Sequence, residues 1–202
     1  MAQRTSILII ACGALAREIV AVIRANGWEQ VTVQCLPAEL HNTPQKIPQA
    51  VSAKIQAARE QFERIFVAYG DCGTGGLLDE VLAKEGIERI PGAHCYEFFA
   101  GASVFAALAE AEPGSFYLTD FLAQHFDRLV YRGLGLDRFP ELATCYFGNY
   151  RRLVYLAQRR DPSLLAKAQK AAARLELEFV YQFTGYGDLQ RTLNHKVQAW
   201  QS

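Results

Sequence analysis

The stretch Phe66-Val67-Ala68-Tyr69-Gly70-Asp71-Cys72-Gly73-Thr74-Gly75-Gly76 decides the fold. Its first four residues continue an apolar run of the length and character of a strand buried on both faces. Gly70 and Asp71 break that run, Cys72 sits at the break, and the glycines beyond it turn the chain into a segment with helical spacing. Strand, tight turn and helix in succession are the building unit of a parallel sheet. In an open parallel sheet the carboxyl ends of the strands share one edge, and ligands bind in the crevice there. Cys72 is therefore expected on the ligand edge.

Working outward, the same pattern recurs. Residues 6–11 form an isoleucine-rich run that ends at Cys12-Gly13, and residues 14–26 follow with helical spacing, closed by Asn26-Gly27. Such a pair suits a left-handed helix cap. Residues 31–36 read as a strand that runs into the turn-rich loop Pro37-Ala38-Glu39-Leu40-His41-Asn42-Thr43-Pro44. Helical spacing returns over residues 45–62, and residues 64–69 are the strand quoted above. Residues 77–85 read as a helix stopped by Gly86, and residues 87–90 as a short strand leading to His94-Cys95.

Further along, residues 96–111 read as one helix, 115–119 as a strand, 120–131 as a helix and 140–147 as another turn or two of helix. Residues 152–156 are a strand, 163–175 an alanine-rich helix capped by Asp161 or Ser163, and 178–183 the last strand. The turn Thr184-Gly185-Tyr186-Gly187-Asp188 then leads to a closing helix over 189–200. This alternation predicts an α/β fold, a mostly parallel open sheet of about six or seven strands with helices on both faces. Residues 1–202 read as a single α/β domain. If the alternation divides into two similar halves, the seam falls near residues 112–116.

Composition narrows the function classes. Half of the 202 residues are apolar, enough for a sizeable core. Lysine plus arginine and aspartate plus glutamate number 21 each, so the basic excess of a nucleic-acid partner is missing. No apolar run approaches the roughly 18 residues of a membrane span, and the first residues lack the pattern of a secretory leader. These features point to a cytoplasmic protein with no membrane and no nucleic acid among its partners. The five cysteines are odd in number and widely scattered, which argues against a disulfide framework. In a reducing compartment such cysteines are more often metal-binding or catalytic.

Three of them, Cys12, Cys72 and Cys95, lie where a predicted strand gives way to a loop. Three thiolates meeting at one edge suit a soft metal, zinc or an iron–sulfur cluster, and an open fourth position would suit catalysis. There is no C-x-x-C motif, so the argument rests on position rather than spacing. The competing reading is three buried cysteines acting as small hydrophobes. His94 neighbours Cys95; on an extended segment the two would point apart, and a sharp turn after Pro91-Gly92 would bring both inward. Cys72 and Cys12 also precede helices, where a thiol pKa is lowered. Cys72 is thus an alternative metal-free nucleophile. The glycines around Gly73 could cradle an anion at the helix start or merely let the chain turn. His41, Tyr186 and Asp188 follow strands on the same edge, and Asp188 has a simpler reading as a helix cap.

Ala11-Cys12-Gly13-Ala14-Leu15-Ala16-Arg17-Glu18, the 36–44 loop, Tyr69-Gly70-Asp71-Cys72-Gly73, Gly92-Ala93-His94-Cys95-Tyr96-Glu97 and Thr184-Gly185-Tyr186-Gly187-Asp188-Leu189 together resemble an uncharacterised family, domain-of-unknown-function family 1638. The likeness spans nearly the whole chain. It implies an association with corrinoid-dependent methyltransferase systems and one-carbon or methylamine metabolism, without implying a reaction. It also singles out Cys12, His41, Cys72, His94 and Cys95. Combined with the residue reading, the expectation is a metal site of Cys12, Cys72, Cys95 and His94, with Cys72 and His41 as candidate catalytic groups and Gly73, Tyr186 and Asp188 shaping the cavity for a small-molecule substrate. The alternatives are the metal-free thiol enzyme and a non-enzymatic metal chaperone or partner of a methyltransferase.

Overall fold

The computed structural model describes residues 5–201, and residues 1–4 and 202 lie outside it. The chain forms two compact units: one runs up to Phe98 and resumes at Asp188, the other covers Phe99–Gly187.

The first unit contains β1 (Ile7–Cys12), α1 (Ala16–Asn26), β2 (Val31–Leu36), α2 (Ile47–Ala58), β3 (Arg64–Ala68) and α3 (Leu77–Glu85). Its three strands are parallel and ordered β2-β1-β3, so β1 is central. Residues Ile7 to Ile10 are at most 1% exposed, which is why their sequence shows no polar alternation. From β1 the chain steps to β2 on one side, then returns past β1 to β3 on the other. Right-handed crossovers therefore place α1 on one face and α2 on the opposite one. α2 packs on β1 and on α3, and α1 packs on β2.

Local chemistry sets the ends of these elements. Gly27, at φ 62°, turns α1 off, with its amide donating to Arg24 and that of Trp28 to Ile23. The closing helix, α9 (Gly187–Gln201), buries Leu189, Leu193 and Val197, one per turn, and sets Trp200 edge-on to Phe66 at 6.4 Å.

The expectation of one sheet is corrected: among the described residues the six strands divide into two parallel sheets of three. The predicted strand over 87–90 contributes only one bridge, Val67 to Arg89, beside β3. Pro91 lacks an amide hydrogen and Gly92 sits at φ 127°, so the pairing cannot propagate. The predicted helix over 96–111 is two helices, α4 (Cys95–Ala100) and α5 (Ala102–Ala111). Gly101, at φ 80° and ψ 145°, separates them in a conformation open only to glycine.

The second unit continues with β4 (Ser115–Leu118), α6 (Asp120–Phe126), α7 (Leu142–Phe147), β5 (Arg152–Ala157), α8 (Pro162–Arg174) and β6 (Glu178–Phe183). The strand order is β4-β5-β6, without a reversal. Leu118, Phe126, Leu153, Tyr155, Leu164 and Ala168 belong to its core, where α6 and α8 pack together over β5. Asp161 caps α8 through the amides of Ser163 and Leu164. The predicted helix over 120–131 stops at Phe126 and passes into a π turn over Asp127–Tyr131. At the carboxyl end of β4, Asp120 is buried. It accepts from the Tyr155 hydroxyl at 2.7 Å, the Gln158 amide at 3.0 Å and the Arg159 guanidinium at 3.2 Å. Among the described residues no helix is long and apolar enough to cross a membrane.

Candidate thiol centre

The reversal in the β2-β1-β3 sheet creates a switch point between β1 and β3. Loops leaving two adjacent strands toward opposite faces open a crevice at their carboxyl ends. Cys12 is the last residue of central β1 and Cys72 lies in the turn after β3. The sequence therefore sets two cysteines at the two sides of that crevice.

Backbone contacts draw the remaining loops in. The amide of Asp71 donates to the Gly92 carbonyl at 3.1 Å and that of Cys72 to the Ala93 carbonyl at 2.8 Å. Arg89 holds the same segment through the carbonyls of Ile90 and Gly92 while pairing with Asp79. A Cβ on Gly70 would lie 3.2 Å from the Gly92 carbonyl oxygen and from the His94 nitrogen, so glycine is needed for this close approach. On the other side, a Cβ on Gly13 would come within 3.1 Å of the Leu36 carbonyl oxygen, and one on Gly73 within 3.6 Å of Pro44. The turns carrying Cys12, His41, Cys72 and His94-Cys95 thus abut in a series along one sheet edge. Cys72 itself takes φ 51°, an uncommon backbone state for a residue with a side chain.

The glycine-rich turn is internally satisfied. Asp71 accepts from the Thr74 hydroxyl at 2.6 Å and from the amides of Gly75 and Gly76 at 3.1 and 2.8 Å. These bonds, that from Thr74 foremost, hold its carboxyl below the usual carboxylate range. The amides that an anion would have used around Gly73 already hold a carboxylate. Thr74 also reaches the Leu78 amide at the start of α3.

Cys12 is 2% exposed. Its sulfur receives the Ala14 amide at 3.4 Å and lies 3.8 Å from Nδ1 of His41. That same Nδ1 is 3.2 Å from the Ala38 carbonyl oxygen, which can only accept. Nδ1 therefore carries the proton, and Nε2 of the neutral ring keeps its lone pair. Desolvation, opposed by the Ala38 bond and aided by nearby His94, lowers the His41 pKa, which favours the neutral ring. His41 and His94 are exposed at the rim.

Burial pushes the Cys12 thiol up to about 12 and the Cys72 thiol up to about 11. Half-buried Cys95 is pushed up as well, by desolvation first and then by the charges that Cys72 and Cys12 would carry. For Cys72 the amides of Gly70 and Cys95 offset part of the cost. All three sulfurs are consequently protonated thiols near neutral pH, and each ionised form disfavours the next. The sequence expectation of a lowered thiol pKa at a helix start does not hold for Cys72, because desolvation outweighs the amides there.

Tyr69 is the group the sequence reading passed over. It is 1% exposed, and its hydroxyl, shut away from water, lies on the Cys12 side of the crevice, where it favours the ionised sulfur. Its signal was its place as a polar-tipped side chain directly after the apolar run Ile65 to Ala68.

No three His, Cys, Asp or Glu side chains among the described residues stand in a ready metal-ligand arrangement. The donor chemistry suits a soft metal; ligation requires the thiols to turn toward a common point. Asp188 lies in the first unit at the start of α9, paired with Arg191, whereas Tyr186 belongs to the second unit. Cys35 and Cys145 are exposed.

The profile of a family described as a protein of unknown function (DUF1638) matches residues 35–193, and the chain belongs to that family. No curated protein matches the sequence. Among solved structures, ornithine carbamoyltransferase from Pyrococcus furiosus is similar at 12% identity and a TM-score of 0.25, over 90% of this chain and 55% of that one.

Proposed function

We propose that the carboxyl edge of the β2-β1-β3 sheet is a centre for a soft metal ion, zinc or an iron–sulfur cluster, held by the thiolates of Cys12, Cys72 and Cys95 with His94 or His41 beside them. The observation that carries the reading is the convergence of four loops on the switch point, with Cys12 and Cys72 flanking it and the Cys95 loop clamped to the Cys72 turn by paired backbone hydrogen bonds. Soft sulfur donors select such metals over hard cations. His41 offers Nε2 at the rim, because Ala38 fixes its proton on Nδ1. On binding, each sulfur gives its proton to solvent and takes the metal, so affinity rises with pH.

The metal-free reading, with Cys72 as nucleophile, is weakened by a thiol pKa of about 11. A role in one-carbon or methylamine metabolism, beside a corrinoid-dependent methyltransferase, rests on the family resemblance alone and belongs to this proposal. So does the choice between a catalyst and a protein that carries metal to a partner. Metal analysis and absorption spectroscopy on anaerobically purified protein test the site. Stoichiometric metal in the natural protein and its loss in Cys72→Ser support it; broad visible absorption with iron and sulfide marks a cluster, and a colourless zinc protein marks a mononuclear site. Protein that stays free of metal after reconstitution with zinc, and with ferrous iron plus sulfide, overturns it.

A further inference from the structure

The second sheet leaves one edge unguarded. β6 ends the order β4-β5-β6 and pairs on one side only. Natural sheets blunt such edges with short strands, charges or a covering segment. β4, at the other end of this sheet, has only four residues, and β3 in the first unit is covered by the Val67–Arg89 bridge. β6 has six residues without lysine or proline, and it exposes Tyr181 (43%) and Phe183 (42%). Among the described residues these are the large apolar side chains that strands leave in the open.

Hydrogen-bond direction fixes what this edge can pair with. The amide of Glu178 donates to the Arg151 carbonyl at 3.0 Å and that of Thr184 to the Ala157 carbonyl at 2.9 Å, so the even-numbered residues of β6 bond to β5. The amides and carbonyls of Phe179, Tyr181 and Phe183 therefore point outward, and their side chains share one face. An antiparallel copy of β6 centred on Tyr181 sets Tyr181 against Tyr181 and, on either side, Phe179 against Phe183. Each pair exchanges both backbone bonds, and each is an aromatic pair. Sliding the copy by one residue would face outward groups with groups already used by β5, and sliding it by two would carry Phe183 past the end of the strand. The same arrangement brings the amino end of β6, with exposed Glu176 and Glu178, to the copy's carboxyl end, where exposed Arg160 lies 4.8 Å from the centre of the Phe183 ring. Acid meets base at both ends. We propose that β6 is a dimerisation edge, pairing antiparallel with β6 of a second copy of this chain about a two-fold axis at Tyr181. The two three-stranded sheets then join into one. Self-complementarity of strand and charge under a two-fold axis selects a second copy as the occupant. This surface belongs to the second unit and is independent of the proposed metal site.

The test is sedimentation equilibrium on the full chain from about 1 to about 100 μM. The mass is expected to rise from that of one chain to that of two; a single chain at every concentration overturns the proposal. Tyr181→Lys and Tyr181→Glu each place like charges against one another at the axis, so each variant alone is expected to dimerise at least about tenfold more weakly. An equal mixture of the two sets lysine against glutamate and is expected to recover the dimer, while Tyr181→Phe keeps it throughout. A folded Tyr181→Lys protein that dimerises like the natural one overturns β6 as the interface. A mixture that stays monomeric overturns the axis at Tyr181. Should the charged variants fail to fold, hydrogen exchange on the natural protein decides. The outward amides of Phe179, Tyr181 and Phe183 must gain protection between the lowest and highest concentrations, and their unchanged exchange overturns the proposal.

Discussion

Thiol reactivity separates the proposed metal site from a thiol nucleophile. The perturbation is timed alkylation with iodoacetamide at pH 7 and at pH 9, on metal-free protein. Only the thiolate reacts, so the rate follows the ionised fraction. With Cys72 pushed up to about 11, that fraction at pH 7 is on the order of 10⁻⁴. An ordinary thiol with pKa near 8.5 is about 3% ionised at the same pH. Cys72 is thus expected to react about 300-fold more slowly than an ordinary cysteine, before any loss from burial is counted. Cys12, raised to about 12, is expected to be slower again. Exposed Cys145 provides the internal standard. Peptide mapping by mass spectrometry reads each site separately. Between pH 7 and pH 9 the Cys72 rate is expected to rise about a hundredfold, one decade per pH unit, as the thiolate population grows. Labelling of Cys72 ahead of Cys145 at pH 7 would refute the reasoning and move the assignment to a thiol nucleophile.

Two further outcomes concern stability. Asp120→Ala removes the acceptor shared by Tyr155, the Gln158 amide and Arg159, leaving the first two unpaired in the second unit while Arg159 keeps Asp161; urea unfolding is expected to show a loss of about 3 kcal/mol, and a loss below about 1 kcal/mol would show that water replaces the carboxylate. Folding also raises the pKa of Cys12 and Cys72 above the unfolded value, so the native state holds more protons than the unfolded chain in alkaline solution. Stability from this source is complete below about pH 8.5 and falls as pH rises through about 11 to 12. Denaturation midpoints measured from pH 8 to pH 11 check the sign, and Cys12→Ala is expected to flatten the decline.

Much of the layout was legible in the chain itself. The runs ending at Cys12 and Tyr69 have no polar alternation because both faces of their strands are covered, and this is a local consequence of composition. The helix ends at Gly27 and Gly86 followed from the freedom of glycine in the left-handed region. What local pattern could not reveal was pairing. Residues 87–90 look as strand-like as their neighbours, yet only Arg89 pairs, because Pro91 and Gly92 halt the ladder. The break at Gly101 and the π turn after Phe126 likewise interrupt apolar periodicities that read as continuous helices.

The candidate centre divides in the same way. Sequence alone determined that Cys12 ends a strand and that Cys72 and Cys95 follow strand-like runs in turns, since these are properties of neighbours along the chain. Tertiary structure decided that β1 is central and β3 its neighbour, which brings the first two cysteines to one switch point. It also decided that Asp71 fills the glycine-rich turn and that the thiols are held protonated rather than activated. Those outcomes depend on desolvation and on hydrogen bonds between segments, such as that from the Cys72 amide to the Ala93 carbonyl. Burial and hydrogen-bond direction arise only when separate strands and loops meet, so no spacing within the chain could have encoded them visibly.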